Sequence, residues 1–380
     1  MDNKSFEEIL AKKSLMLEFV EDYQKKQLKL ALFGAGNSLR NAIGFLNAFN
    51  IKADLLIDND ETKVNKELLN LRIISYEDFK KVCEEYIVLI LPQDIEVINQ
   101  IKAQLEENVS KENIYTFDFI YYDFYNHMQK YDSFKTFMIK FRDEINWLYN
   151  NLIDEKSKST LIGFLKGRVT QDYNYYNEIH VAKQYFAEDI IKLSKNETFV
   201  DCGAWDGDTV KEFIELVGEN NYNKIHCFEP DEITYPKLEK FVKEIDFNRK
   251  ITLYKNAVWE KNMKLKFNGI GETQSSVSGN DDLLACIEVE AIKLDSLNLE
   301  DVTYIKMDIE GAEHEALIGA SQIIEKLKPK LGICVYHKYE DLITVPQLIK
   351  KINPDYKIYL RHHKPYGSEL VLYAVDTNMI

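Results

Sequence analysis

The stretch Glu197–Thr209, ETFVDCGAWDGDT, constrains the fold of this chain more than any other. A short apolar run (Thr198, Phe199, Val200) leads into Asp201, then Gly203 and Ala204, with Gly207 heading an amphipathic segment. Glycine at those two places lets a strand turn tightly into a helix and lets the backbone pass close to a ligand. Further on, a second apolar run, Lys224–Phe228, ends in Glu229 followed by Pro230. In an open α/β sheet the carboxyl ends of neighbouring strands form the ligand crevice, and an acid on the second strand takes ribose hydroxyls. The pattern predicts a nucleoside-binding site in the middle of the chain.

A third run, YIKMDIEGA (Tyr304–Ala312), is another short strand ending in acids and a glycine. With VDCGAWDGDT, CFEPD (Cys227–Asp231), KNAVW (Lys255–Trp259), KMDIEGAEHEAL (Lys306–Leu317), CVYHKYEDL (Cys334–Leu342) and YLRHH (Tyr359–His363), the chain resembles the FkbM-type family of S-adenosylmethionine-dependent methyltransferases. The resemblance covers roughly Gln184–Val375, about half the chain, and implies a class I methyltransferase domain with a doubly wound sheet. It implies methyl transfer and leaves the substrate unnamed.

A chain of 380 residues has room for two cores. Its net charge of −15 argues against nucleic acid, which needs clustered Lys and Arg. No apolar run reaches the length of a membrane span, and MDNKSFEEILAKKS lacks the apolar centre of a secretory signal. The five scattered cysteines, without CxxC spacing, read as reduced thiols of a cytoplasmic protein.

Before the methyltransferase blocks, Lys29–Phe33 runs into Gly34-Ala35-Gly36-Asn37-Ser38, and Ala53–Ile57 runs into Asp58. With further strands at Leu71–Ser75, Tyr86–Leu91 and Asn113–Phe117 and helical patterns between, this is a small Rossmann-like unit. Leu39 replaces the third glycine of a dinucleotide fingerprint. Two readings stay open: a degenerate unit for dimerisation or substrate placement, and a site for part of a nucleotide or nucleotide-sugar. The expected division is a Rossmann-like domain at 1–120, a helical linker with a lid at 121–195, and a methyltransferase domain at 196–380. In the linker, the tyrosines of Asp172–Phe186, Tyr176 among them, are candidates to fold over the cofactor or touch substrate.

The strand-end turns make Gly203, Ala204, Gly207, Glu229, Pro230, Asn256, Ala257 and Asp308 candidate cofactor contacts, with Asp201 either anchoring the turn or taking the cofactor ammonium through water. For the acceptor, Asp308, Glu310, His337 and one of His362 and His363 are expected at neighbouring strand ends, with His363 preferred because Arg361 shares its face. Arg361, Glu310 and Ser276 are candidate substrate contacts, and Lys306 needs a carboxylate partner, Asp308 or Glu310, either as structure or to orient the acid for catalysis. Two mechanisms remain in view: His337 as a general base near its ordinary pKa, and a divalent metal (Fe, Mn or Mg) on Asp308, His337 and His363. The expected reaction is O-methylation of a sugar or nucleotide-sugar in surface glycan synthesis, by a homodimer that does not insert into membranes. O-methylation of a small natural product and a non-catalytic scaffold are the alternatives.

Overall fold

The protein is described from a computed structural model covering residues 1, 3–119, 133–219, 221–245, 250–268, 276–277 and 286–376. It divides into two compact units: residues 1–140, 159–180 and 364–368 form the first, and residues 141–158, 181–363 and 369–380 the second. The aromatic-rich helices expected as a separate linker are therefore shared between the two units.

In the first unit, strands β1 (Lys29–Phe33), β2 (Leu55–Ile57), β3 (Glu67–Leu68), β4 (Leu71–Ile74), β5 (Tyr86–Ile90) and β6 (Ile114–Tyr115) form one sheet in the order β3-β4-β2-β1-β5-β6. All neighbours run parallel except β3 and β4. Period-two alternation splits β1 between two cores: Leu30 and Leu32 pack on one face, Ala31 and Phe33 on the other. The amino-terminal stretch forms two helices, Asn3–Leu10 and Leu15–Lys26, the second capped by the Ser14 hydroxyl.

The second unit is built on β7 (Glu197–Cys202), β8 (Tyr222–Phe228), β9 (Ile251–Tyr254), β14 (Tyr304–Met307), β15 (Lys330–Cys334), β16 (Tyr356–His362) and β17 (Leu370–Asp376). Their order is β16-β17-β15-β14-β7-β8-β9, with β17 antiparallel to both its neighbours and the other pairs parallel. Between β9 and β14 the chain forms a four-stranded sheet from β10 (Ala257–Val258), β11 (Met263–Asn268), β12 (Ser276–Val277) and β13 (Cys286–Ile292), in the order β10-β13-β11-β12.

The chain leaves β7 towards β8 and β9, then returns to the other side of β7 as β14 and β15. The carboxyl ends of β7 and β14 therefore flank the topological switch point, where open α/β sheets bind ligands. Every residue of β7 and β14 is buried, which fixes the frame beneath that crevice. Among the described residues no helix is long and apolar enough to cross a membrane.

Candidate active site

The β7 turn is held by groups that only close approach can bring together. Gly203 has φ +80°, and a Cβ there would lie 1.9 Å from the Asp308 carbonyl oxygen. The loop therefore passes against the end of β14 with no room for a side chain. The Gly203 and Ala204 N–H groups both donate to the Phe228 carbonyl at 3.0 Å, fastening the turn to β8. Gly207, at φ +95°, precedes helix Asp208–Val217, and a Cβ on it would meet the Phe241 ring at 2.3 Å.

Asp201 lies beneath this turn and does not reach the crevice. Its side chain is fully buried and 3.0 Å from the Lys306 ammonium, its register partner across β7 and β14. Lys306 also donates to the Gly203 carbonyl at 2.6 Å. Burial pushes the Asp201 carboxyl up to about 6, against the opposing pull of Lys306, so it stays ionised at neutral pH. Of the roles open to Asp201 and Lys306 the structural ones are seen, Lys306 tying Asp201 to the Gly203 turn inside the sheet, while direct cofactor contact by Asp201 and a catalytic part for Lys306 are corrected.

Glu229 closes β8. Its Oε2 accepts from the Trp205 N–H at 2.9 Å and its Oε1 from the Asp231 N–H at 2.8 Å. Burial pushes its carboxyl up to about 7, although those two N–H groups and the Thr234 side chain favour the ionised form. Pro230 is half-buried beside it. Asn256 follows β9 and donates to the Glu290 carbonyl at 3.3 Å, while Ala257 is buried at the start of β10.

On the other side of the switch point stands an acidic group around one histidine. His337 is fully buried; its Nδ1 lies 3.1 Å from Glu313, and its Nε2 3.4 Å from Asp308 and 3.3 Å from Glu310. Burial alone would lower its pKa, but Glu313, Glu310 and Asp308 outweigh it and hold it at about 10. His337 is thus an imidazolium at neutral pH, and the expectation of a base near the ordinary histidine pKa is corrected. Glu310, at φ 55°, turns its carboxyl to His337, and burial raises its pKa far above the usual range. Asp308 is the most open of these carboxylates, with a side chain 23% exposed. Burial raises its pKa, yet the His337 and Lys306 charges prevail and hold it below the usual range.

The expected metal set is not assembled. Strand β17 inserts between β15 and β16, placing His363 two strands away from His337, about 10 Å at ordinary strand spacing. Both ring nitrogens of His363 are engaged: Nδ1 donates to the Val181 carbonyl at 2.9 Å, so Nε2 accepts from the Tyr373 hydroxyl at 2.8 Å. Asp308, Glu313 and His337 do place one potential ligand atom each within 4.8 Å of one another. In this arrangement the His337 ring is taken up by its acids, with Nδ1 on Glu313 and Nε2 between Asp308 and Glu310.

Two candidate substrate contacts are also corrected. Arg361 is buried, donating to Asp154 at 2.6 Å and 3.3 Å, to Asp189 at 2.9 Å and 3.2 Å, to Ser157 at 2.8 Å and to the Leu360 carbonyl at 2.9 Å. It clamps the sheet edge and leaves nothing for substrate. Tyr176 is buried in the first unit, packed so closely on Gly167 that a Cβ there would lie 2.5 Å from its ring. It is packing, not a lid. Ser276 falls in β12, and its side chain lies outside the described residues. In the first unit, Asp58 caps the Gly34–Ser38 turn by accepting from the Ala35 N–H at 2.7 Å.

Of the tyrosines in Asp172–Phe186, Tyr185 rather than Tyr176 reaches the acidic group around His337. Its hydroxyl donates to Asp308 Oδ2 at 2.7 Å and its ring faces the Lys306 ammonium at 5.1 Å.

A seven-stranded sheet with one antiparallel strand, a glycine turn after the central strand and an acid ending the next define a class I methyltransferase domain. Residues 201–364 match the family model described as Methyltransferase FkbM domain. Over almost its whole length the chain is similar in fold to the crystal structure of methyltransferase FkbM from Methylobacillus flagellatus KT, with 22% identity and a TM-score of 0.77, covering 98% of this chain and 97% of that one. Weaker partial matches include fibrillarin from Aeropyrum pernix with natively bound S-adenosyl-L-methionine (12% identity, TM-score 0.32, 49% of this chain and 70% of that one). A SAM-dependent methyltransferase from Aquifex aeolicus matches similarly (12%, TM-score 0.30, 54% and 99%). No curated protein matches the chain.

Proposed function

We propose that the protein is an S-adenosylmethionine-dependent O-methyltransferase acting on a hydroxyl of a sugar, nucleotide-linked and destined for a surface glycan such as capsule or lipopolysaccharide. The observation that carries the reading is the Glu229 carboxylate at the switch-point rim. Its two oxygens accept one backbone N–H each with the Thr234 hydroxyl beside them, and ribose hydroxyls are further donors of the kind this carboxylate takes. In the same loop the Trp205 indole N–H is buried with no partner among the described residues, a donor suited to a ligand acceptor. These groups and the Gly203 turn fit adenosylmethionine, which when bound supplies an electrophilic methyl group on a sulfonium.

The chain's own contribution is to hold an alcohol in line and take its proton. Asp308, ionised and the most exposed acid of its cluster, is the acceptor for that proton, and the His337 and Lys306 charges keep it ionised. Positioning of this kind is worth about 7–11 kcal/mol and a general base about 10²- to 10⁴-fold. Carboxylates at the rim accept from hydroxyls, which favours a polyhydroxylated, uncharged acceptor group. Nucleotide-sugars incubated with the protein and adenosylmethionine should gain one CH₂ by mass spectrometry, with chelator making no difference. Protein that binds adenosylmethionine yet methylates none of a broad sugar panel would contradict the substrate class.

A further inference from the structure

We propose that the adjacent residues Gln184 and Tyr185 form a positioning relay that fixes the Asp308 carboxylate, leaving its Oδ1 for the methyl acceptor. The inference rests on the reading of Asp308 as the group that takes the acceptor's proton. The direction of each hydrogen bond follows from the partners. Gln184 Nε2 contacts the Glu369 carboxylate, which only accepts when ionised, and this fixes which end of the amide carries nitrogen. The same nitrogen lies 2.8 Å from the Tyr185 hydroxyl, so the phenol oxygen accepts there. Its single proton is then given to Asp308 Oδ2 at 2.7 Å, a bond much shorter than the 3.5 Å to Cys334 Sγ. Asp308 Oδ1 is left with longer contacts, 3.4 Å to His337 Nε2 and 3.5 Å to the Tyr336 hydroxyl.

Tyr185 is held on every side. Its N–H donates to the Tyr373 hydroxyl at 2.9 Å, its carbonyl accepts from the Tyr304 hydroxyl, and its backbone sits at φ 68°. A tyrosine adopts that left-handed conformation only where surrounding structure compels it, and such outliers cluster at functional sites. Burial and the Asp308 charge beside it keep the phenol protonated, so it remains a donor at any working pH.

The test needs no methyl acceptor. The isotope-labelled carboxyl resonance of Asp308, assigned by its disappearance in Asp308→Asn, is recorded in full-length wild type, Tyr185→Phe and Gln184→Leu. Tyr185→Phe removes only the hydroxyl, and Gln184→Leu, at a half-buried position, leaves the phenol in place but frees its proton to turn elsewhere. The relay predicts that the Asp308 resonance shifts in both variants and that a crystal structure of Tyr185→Phe shows the carboxylate rotated with β14 unmoved. A resonance unmoved in both, even with lowered thermal stability, would reduce Tyr185 to packing and overturn the proposal. If Tyr185→Phe fails to fold, the Gln184→Leu shift decides alone. Calorimetry with adenosylhomocysteine on the same samples separates the two claims. Lack of binding by wild type would contradict the cofactor reading and leave the relay result standing.

Discussion

Replacing Gly203 by alanine is the sharpest stability test of the switch-point geometry. The added Cβ would lie 1.9 Å from the Asp308 carbonyl oxygen, and that atom belongs to backbone pinned by the Asp308 N–H to Cys202 hydrogen bond at 3.1 Å. Neither side is the end of a flexible side chain, so one backbone segment must move. An L-residue held at positive φ costs about 1–2 kcal/mol, and forcing a methyl into packed structure about 1–3 kcal/mol more. The expected loss is therefore about 2–5 kcal/mol, read as a lower denaturant midpoint with an unchanged slope. Because Asp308 moves with the carbonyl, adenosylhomocysteine affinity should fall together with stability. Gly36→Ala in the first-unit turn is the control: its Cβ would meet nothing within 4 Å, and the change should stay within about 0.5 kcal/mol. A Gly203→Ala protein as stable as wild type, binding adenosylhomocysteine equally well, would refute the claim that this contact shapes the site.

Lys306→Met should cost about 3–5 kcal/mol by leaving Asp201 buried and unpaired, whereas the double variant with Asp201→Asn should recover part of that loss. Arg361→Met should lower stability by about 2–4 kcal/mol, less than a wholly buried pair because both carboxylates are partly exposed, and calorimetry should find adenosylhomocysteine affinity unchanged. Stability should also fall with rising pH. The His337 pKa is raised in the fold, so its contribution is complete below about 6.5 and lost as pH climbs through about 10. Asp341, raised to about 8, acts in the same direction, since the folded state binds the proton more tightly than the unfolded chain. Unfolding midpoints that rise between neutral pH and pH 10 would contradict this arrangement.

The parts of the site that lie within one short stretch were legible in the sequence. Gly203 and Gly207 announce a strand-to-helix turn, and Glu229 a strand-end acid, because local backbone geometry dictates both. Asp308, Glu310 and Glu313 also stand close together in DIEGAE, yet their effect on His337 emerges only when β14 and β15 pair. Arg361 was misread because its carboxylate partners, Asp154 and Asp189, lie 207 and 172 residues away. His363 was misread because a strand later in the chain, β17, enters the sheet ahead of β16. Tyr185 owes its position to a left-handed backbone in a loop, which periodicity does not reveal.

The central claim is that Glu229 receives the ribose of adenosylmethionine at the switch point. Calorimetric titration of adenosylmethionine into full-length wild type and Glu229→Gln tests it most directly. Glutamine keeps the side-chain shape but turns one acceptor into a donor facing a backbone N–H, so affinity should drop at least about tenfold, about 1.4 kcal/mol. Equal affinities for the two proteins, or no binding to either, would contradict the account.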